Sequence, residues 1–244
     1  MCNFLSGVTL ATGEIAIGEL VDSHEAIIEG AGWGNADKRA ERPGLCRWEY
    51  TPPDGDWRKP VVEWNFHVDD TVRPDWFTAE REAEAISRAQ VILEKMMVHE
   101  GVHIVKTGRM FAYGSATVEA SDSATVEASG SATVRASDSA TVRASDSATV
   151  RASDSATVEA SGSATVEASG SATVRAYNSA TVRAYGSATV RASGSATVEA
   201  SGSATVNTYG CKTVSVKDNA IEIDRRGDVV VIRGNARLEK EETK

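Results

Sequence analysis

The sequence predicts a mainly β protein: an octapeptide-repeat β-solenoid, about two octads per coil, with a small α+β capping domain at its N-terminus. Three observations carry this expectation. From Ser115 to Gly210 the chain runs through twelve consecutive octads of the form Ser-Ala-Thr-Val-x-Ala-Ser/Tyr-Asp/Gly/Asn, with no insertion. Within each octad, apolar and polar residues alternate over Ala-Thr-Val-x-Ala, the period-two pattern of a strand with one buried face. The composition is also split. All five Trp, all five Pro and all four His precede residue 104, whereas 115–210 holds no Pro, Trp, Leu, Ile, Phe, Lys or His. A short fixed period behind an aromatic-rich segment reads as a stacked repeat with a different domain in front.

Residues 1–104 are expected to form that domain. Asn3–Leu10 and Glu14–Glu19 suggest a hairpin across Ala11-Thr12-Gly13, and Asp22 or Ser23 caps a short helix through Ile28. Leu45–Tyr50 and Val61–Val68 suggest two more strands around the PPDGDW turn. A helix follows, with Thr78 as N-cap and one stripe of Ala85, Ile86, Ala89, Ile92, Leu93, Met96 and Met97. Its apolar face is expected to plug the first coil. Trp33, Trp48, Trp57, Trp64 and Trp76 either line a groove or, the commoner use, pack in core and rim.

Residues 105–210 are the solenoid, regular from 115. Ala, Val and Ala point inward from each octad; Thr and x point outward. The eighth residue is only Asp, Gly or Asn, types that tolerate a left-handed backbone at a corner. Burying one Val and two Ala stabilises an octad by roughly 2–3 kcal/mol. Ordering its eight residues costs on the order of 8–16 kcal/mol, so stability must come from stacking. The charges at x set the coil size. In order they are Glu119, Glu127, Arg135, Arg143, Arg151, Glu159, Glu167, Arg175, Arg183, Arg191 and Glu199, then the neutral Asn207. Stacking each octad on the next gives six like-charge and four opposite-charge neighbours; stacking on the second-next gives two and seven. Three octads per coil fits the charges as well, but an Ala-Val-Ala lining is too thin to fill a three-sided cross-section. Two octads per coil follow, six coils at ~4.8 Å spacing making a stack about 29 Å long. The five-octad rhythm Glu-Glu-Arg-Arg-Arg, run twice, suggests a forty-residue duplication.

Residues 211–244 degrade the pattern. Stronger apolar residues, Ile221, Ile223, Val229 and Val231, alternate along this stretch and a charged tail follows, which reads as the last coils and a cap that blunts the open edge.

Two resemblances enter here. The opening MCNFLSGVTL, the DSHEAII segment, WEYTPPDGDW and WNFHVDDTVRPDWF are similar to uncharacterised phage and gut-bacterial proteins that begin MC-x-F, carry a TPP-to-PDWF block and continue into octapeptide repeats. That resemblance implies a phage or prophage setting and no activity. The octads, with segments such as AYGSATV, resemble bacterial ice-nucleation proteins, whose Thr-x-Thr rows are thought to order water. Here Glu or Arg replaces the second Thr in eleven of twelve octads, which spoils an ice-matching surface.

Charge and motifs narrow the function. The net charge is −9, and the octads hold six basic against nine acidic residues. That is the wrong balance for a nucleic-acid binder and too sparse for a DNA mimic. No run of eighteen apolar residues and no basic-plus-apolar leader is present, so neither a membrane nor export is expected; the host cytoplasm or the virion is. Three cysteines, Cys2, Cys46 and Cys211, make no disulfide framework. His99-Glu100-Gly101-Val102-His103 is formally H-E-x-x-H, which on a helix would hold zinc with Glu100 as base. Gly101 and the β-type VHIV that follows argue for a helix-to-strand transition instead. Cys2, were Met1 removed, would be an N-terminal nucleophile. The corner residues Asp122, Asp138, Asp146 and Asp154 exchange freely with Gly and Asn, which marks turn chemistry rather than calcium ligation. Tyr177, Tyr185 and Tyr209 are corner packing or contact anchors. His24 and His67 give no triad. The expectation is a non-enzymatic binding or structural protein that needs no metal or cofactor. Its interaction surface is the ladder of eleven charged residues at x; its partner is a protein, and a homodimer through a solenoid end is plausible. The rivals are an enzyme using Cys2 or the His99/His103 pair, and an ice-binding solenoid.

Overall fold

The computed structural model describes residues 5–18, 23–33, 44–211, 213–226 and 229–234. The chain divides into two units, residues 1–96 and 97–244. Among the described residues, no helix is long and apolar enough to cross a membrane.

The first unit is a four-stranded antiparallel sheet with two helices. Strands β1 (Leu5–Leu10) and β2 (Ile15–Gly18) form the expected hairpin. The Leu10 carbonyl accepts from the Gly13 amide, and Gly13 has φ of 102°, a conformation open to glycine. Helix α1 (His24–Gly30) is capped by Ser23, whose hydroxyl accepts from the Ala26 amide. Strand β3 (Leu45–Thr51) lies between β1 and β4 (Asn65–Val68), giving the order β2-β1-β3-β4. The strand expected over Val61–Val68 is therefore only half a strand. Val61–Glu63 is a single 3-10 turn after Pro60, closed by the Trp64 amide on the Val61 carbonyl, which also accepts from the Tyr50 hydroxyl at 2.7 Å. Trp48 and Tyr50, on β3, are buried to 0% and 1% exposure. Gly7 stands opposite Trp48, where a Cβ would lie 2.2 Å from the indole ring. Helix α2 (Ala79–Met96) buries Ala85, Ala89, Leu93 and Met96 on one stripe, and its Gln90 side chain donates to the Tyr50 hydroxyl at 3.1 Å. Ile86 and Ile92 of the expected stripe are only half-buried, and Met97 has left the helix for a strand.

The second unit is a parallel β-solenoid of about eight turns, about 16 residues each. Strands β5 (Met97–Val98), β6 (Val102–Val105) and β7 (Arg109–Ala112) open it. Twelve octad strands follow, from β8 (Thr117–Ala120) to β19 (Thr205–Tyr209), then β20 (Thr213–Val216), β21 (Ile221–Arg226) and β22 (Val229–Gly234). Even-numbered strands from β6 to β20 make one eight-stranded sheet. Odd-numbered strands from β5 to β21, with β22 on the outer edge, make a ten-stranded one. Each octad pairs with the octad sixteen residues away: Thr133 with Thr117 and Thr149, Val150 with Val134 and Val166. Two octads per coil is the observed geometry.

Ten of the twelve octad strands cover only Thr-Val-x-Ala rather than the expected five residues, while β17 (Thr189–Ser193) and β19 (Thr205–Tyr209) run one residue further. The leading Ala belongs to the corner, its amide donating to the residue-7 carbonyl, as Ala140 does to Ser137 at 3.1 Å. The eighth residue has positive φ: 51–57° at Asp122, Asp138, Asp146, Asp154, Asn178 and Asp218, and 61–72° at the corner glycines. The ladder continues round the bend, since the Ser139 amide donates to the Asp122 carbonyl and the Thr141 amide to the Ala124 carbonyl. Inside, the Ala, Val and Ala of the regular octads are at most 4% exposed, so the two sheets share one continuous Val/Ala core.

The last coil departs from this rule. The pairing of β19 with β21 sets Glu222 beside Val206 and Asp224 beside Thr208, so the two acids take inward positions and Ile221 and Ile223 face outward. Glu222 and Asp224 are 4% and 2% exposed, and the Thr208 hydroxyl donates to Glu222 at 3.1 Å. Inward acids followed by the antiparallel β22 keep the ten-stranded sheet from offering its next parallel strand position.

Two substitutions test this architecture. Val150→Ala should destabilise the second unit by about 2 kcal/mol, read as a lower urea midpoint at unchanged m. At the corner, Asp138→Ala should cost about 1 kcal/mol while Asp138→Gly stays within roughly 0.5 kcal/mol, because only alanine is strained at positive φ.

Candidate functional site

The outward residues at x form two columns set by the sixteen-residue register. Glu119, Arg135, Arg151, Glu167, Arg183 and Glu199 climb the eight-stranded sheet; Glu127, Arg143, Glu159, Arg175 and Arg191 climb the ten-stranded one. The single ladder read from sequence is thus two ladders on two sheets.

All seven opposite-charge neighbours at this spacing lie within ion-pair distance. On the first column these are Arg135–Glu119 (3.1 Å), Arg151–Glu167 (3.0 Å), Arg183–Glu167 (3.9 Å) and Arg183–Glu199 (3.5 Å). On the second they are Arg143–Glu127 (3.8 Å), Arg143–Glu159 (3.5 Å) and Arg175–Glu159 (3.0 Å). Arg109 adds a second cation to Glu127 at 3.3 Å. The pairs sit in solvent, and each contributes on the order of 0–1 kcal/mol. They do not hold the fold together; they hold charged groups at fixed heights on it.

Two neighbouring pairs have like charge: Arg135 with Arg151, and Arg175 with Arg191. Arg191 stands between Arg175 and Asn207 and has no ion pair among the described residues.

Beside the first column runs a feature that the charge pattern did not disclose. A groove of ≈ 510 Å³ follows the eight-stranded sheet, lined by Glu119, Arg135, Arg151 and Glu167 on one side and Ser121, Ser137, Ser153 and Ser169 on the other, with Ile104 and Tyr185 also in its lining. The serines are the seventh residues of alternate octads. Four small residues at sixteen-residue spacing leave the groove open, and Tyr185 is the next residue in that series. The signal was present in the sequence, but only once the octads were sorted by sheet.

The other candidates resolve differently. The H-E-x-x-H segment is not helical. It turns at Gly101 (φ 79°) between β5 and β6, His99 lies against Tyr113 with ring centroids 5.8 Å apart, and the His103 Nε2 is 2.8 Å from the Glu100 carbonyl oxygen. The helical i, i+4 geometry that would bring both imidazoles to one ion is replaced by a strand entry. Among the described residues, no three His, Cys, Asp or Glu converge as a metal set would. Cys2 lies outside the described residues. The corner Asp carboxylates accept locally: Asp122, Asp138 and Asp154 from the hydroxyl of the serine before each, at 3.3, 3.2 and 3.0 Å, and Asp146 from the Gly130 amide of the neighbouring coil at 3.3 Å. Tyr177, Tyr185 and Tyr209 are 44–50% exposed. In the first unit, Trp48 and Trp64 are core residues. His24 is buried, its Nε2 donating to the Trp48 carbonyl at 3.2 Å and its Nδ1 3.5 Å from Asp69. His67 is exposed on β4.

Comparison with known proteins finds no matching family model, no matching curated protein and no matching solved structure.

Cys46 is fully buried on β3, and burial, reinforced by the Asp70 carboxylate, pushes its thiol up to about 12 from an ordinary value of 9.0. The folded thiol keeps its proton where the unfolded one has lost it, so stability falls as pH rises from about 9 toward 12. Urea titrations should show that fall, and Cys46→Ala should make it shallower. Native Cys46 should also resist iodoacetamide at pH 8, reacting only once the first unit is unfolded.

Proposed function

We propose that this chain is a non-enzymatic binding scaffold, a rigid β-solenoid that presents Thr rows and Glu/Arg ladders to a protein partner. The observation that carries this reading is the outward surface itself. Every charged residue of the ladders sits at a height dictated by the backbone pairing, which is what a surface that selects a partner by charge pattern requires. The exposed tyrosines beside the ladders are residues of the type that anchors interfaces. The first unit, whose aromatic residues are spent largely on its own core, serves in this reading as a second means of choosing the partner.

The setting we infer is a phage or prophage, on the resemblance of the N-terminal motifs to phage and gut-bacterial proteins. Inhibition of a host protein in its cytoplasm and a place in the virion are both consistent with a scaffold. A homodimer through a solenoid end belongs to the same proposal, and light scattering that finds only monomer removes that part.

The test is affinity capture from host lysate, with and without infection. Wild type is compared with a variant carrying Ser at Arg135, Arg143, Arg151, Arg175, Arg183 and Arg191. These side chains point outward, so circular dichroism of the variant should match wild type. A partner held by wild type and released by the variant supports docking through the ladders. The same partner held by both makes the N-terminal domain the reader and the solenoid a spacer.

A further inference from the structure

The C-terminal end of the solenoid is a step. β20 closes the eight-stranded sheet, while β21 and β22 carry the ten-stranded sheet two strand positions further, about 10 Å at ~4.8 Å per position. Among the described residues, both strands at the step have one partner and one open edge. β20 pairs only with β18 (Thr197–Ala200), and β22 only with β21. The open edge of β22 is not blunted. Its run Val229-Val230-Val231-Ile232 holds no charge and no proline, the devices that keep exposed edges from pairing.

The ladders fix which backbone groups reach these edges. The Lys217 amide donates to the Ala200 carbonyl at 2.9 Å, so alternate residues Thr213 and Ser215 bond to β18. Val214 and Val216 therefore turn their N–H and C=O groups to the open side. The Ile221 amide donates to the Ala204 carbonyl at 3.0 Å, so Glu222 and Asp224 are the residues that bond to β22, opposite Arg233 and Val231. Val230 and Ile232 are left with their backbone groups at the outer edge. The faces alternate too. Val214 and Val216 pack against the core. Val231 takes the inward register position opposite Asp224 and Val229 the next one, while Ile232, 38% exposed, takes an outward one.

We propose that this step is the interface of a homodimer, in which β20 of each chain pairs in parallel with β22 of the other. The inference rests on the homodimer reading above and gives it a surface. Each corner reverses the chain, so β20 runs opposite to β21 and in the same direction as β22, which is antiparallel to β21. A two-fold axis along the strands exchanges the two sheets, keeps strand direction and inverts the stack. Each chain's step then fills the other's, with no strand position left over. In a parallel pair, a residue that bonds across the seam stands opposite one that does not. Val214 and Val216 thus stand opposite Val229 of the partner subunit and Val231 of the partner subunit. Inward positions meet inward positions, and both strands spend their open backbone groups on each other.

Each other pairing of these edges fails on one count. An antiparallel β20–β22 seam sets bonding residues opposite one another, which brings the inward Val216 against an outward position of β22. Two β20 strands, antiparallel, match in bonding and in face, but the β21–β22 hairpins of the two chains then occupy the same space. Two β22 strands match as well, but they leave a gap of twice the step height in the eight-stranded sheet, with the edge of β20 still open.

The experiment uses the full chain. Light scattering over a concentration series should show a dimer. Val214→Pro and Ile232→Pro each delete an edge N–H that has no partner among the described residues, a position where a strand tolerates proline. Each should raise the dimer dissociation constant by about tenfold or more. Circular dichroism identical to wild type separates loss of pairing from loss of fold. A second measurement needs no proline. In a C2S/C211S background, S215C/V230C places two thiols directly across the seam, while within one chain they lie on different sheets. Mild oxidation should therefore give a covalent dimer, and S215C alone or V230C alone should not. A dimer that ignores both prolines, or that fails to cross-link, overturns this surface and leaves the homodimer reading standing. Cross-linking by either single variant does the same, since like strands would then be paired. Monomer at every concentration overturns both.

Discussion

Everything in the second unit depends on the backbone ladder between coils. An octad has little to bury: two alanines and a valine, against eight residues to be ordered. What makes the coil stable is that its amides and carbonyls pair with the coils above and below, through the strands and also through the corners, as the Ser139 and Thr141 amides show. That continuity requires a left-handed residue at each bend, which explains why the eighth position admits Asp, Asn and Gly alone. It also requires inward side chains small enough for two sheets to share one thin core, which explains the absence of Leu, Ile and Phe from the repeat.

Once the ladder has fixed register, the outward positions are released from any structural duty. The ion pairs at x are solvent-exposed and contribute little to stability, so Glu, Arg and Asn interchange there without disturbing the core. Position seven accepts Ser or Tyr but is more tied to the stack, since the hydroxyls of Ser145, Ser153, Ser161 and Ser169 donate to carbonyls of the preceding coil at 3.4 Å. The residue at x can change with little penalty in folding, whereas a change at Val or at the corner acts on the whole stack. The last coil shows the opposite case: there the inward rule itself is broken, with Glu222 and Asp224 where a further coil would need Val and Ala.

The solenoid was legible because its constraints are periodic. Alternation at Ala-Thr-Val-x-Ala, the restricted eighth position and the charge statistics at x each point to the same sixteen-residue coil, and local and global preferences agree. The first unit was legible only in part. Ser23 and Thr78 mark helix starts by short-range chemistry, but the 3-10 turn at Val61–Glu63 is also held by the Tyr50 hydroxyl from eleven residues away, a contact that no local pattern encodes. H-E-x-x-H shows the same limit: Gly101 and the β-branched run after it outweigh the motif. The groove went unseen for a different reason. Its residues are adjacent only after the chain is folded into alternating sheets, so Ser121, Ser137, Ser153 and Ser169 look like unremarkable members of twelve similar octads until every second one is taken together.

Two octads per turn make the repeat a counter with two states. Gaining or losing two octads shifts everything downstream along the stack by one coil and leaves each residue on its own sheet. Gaining or losing one octad carries every later residue to the opposite sheet, with core and corners still satisfied. The forty-residue charge rhythm, an odd number of octads, matches a step of the second kind: the Glu-Arg-Arg triplet 119, 135, 151 recurs on the other sheet as 159, 175, 191. Replication slippage in such a gene therefore does more than lengthen the product. It reassigns whole surfaces between faces in a single step, and the fold survives both outcomes.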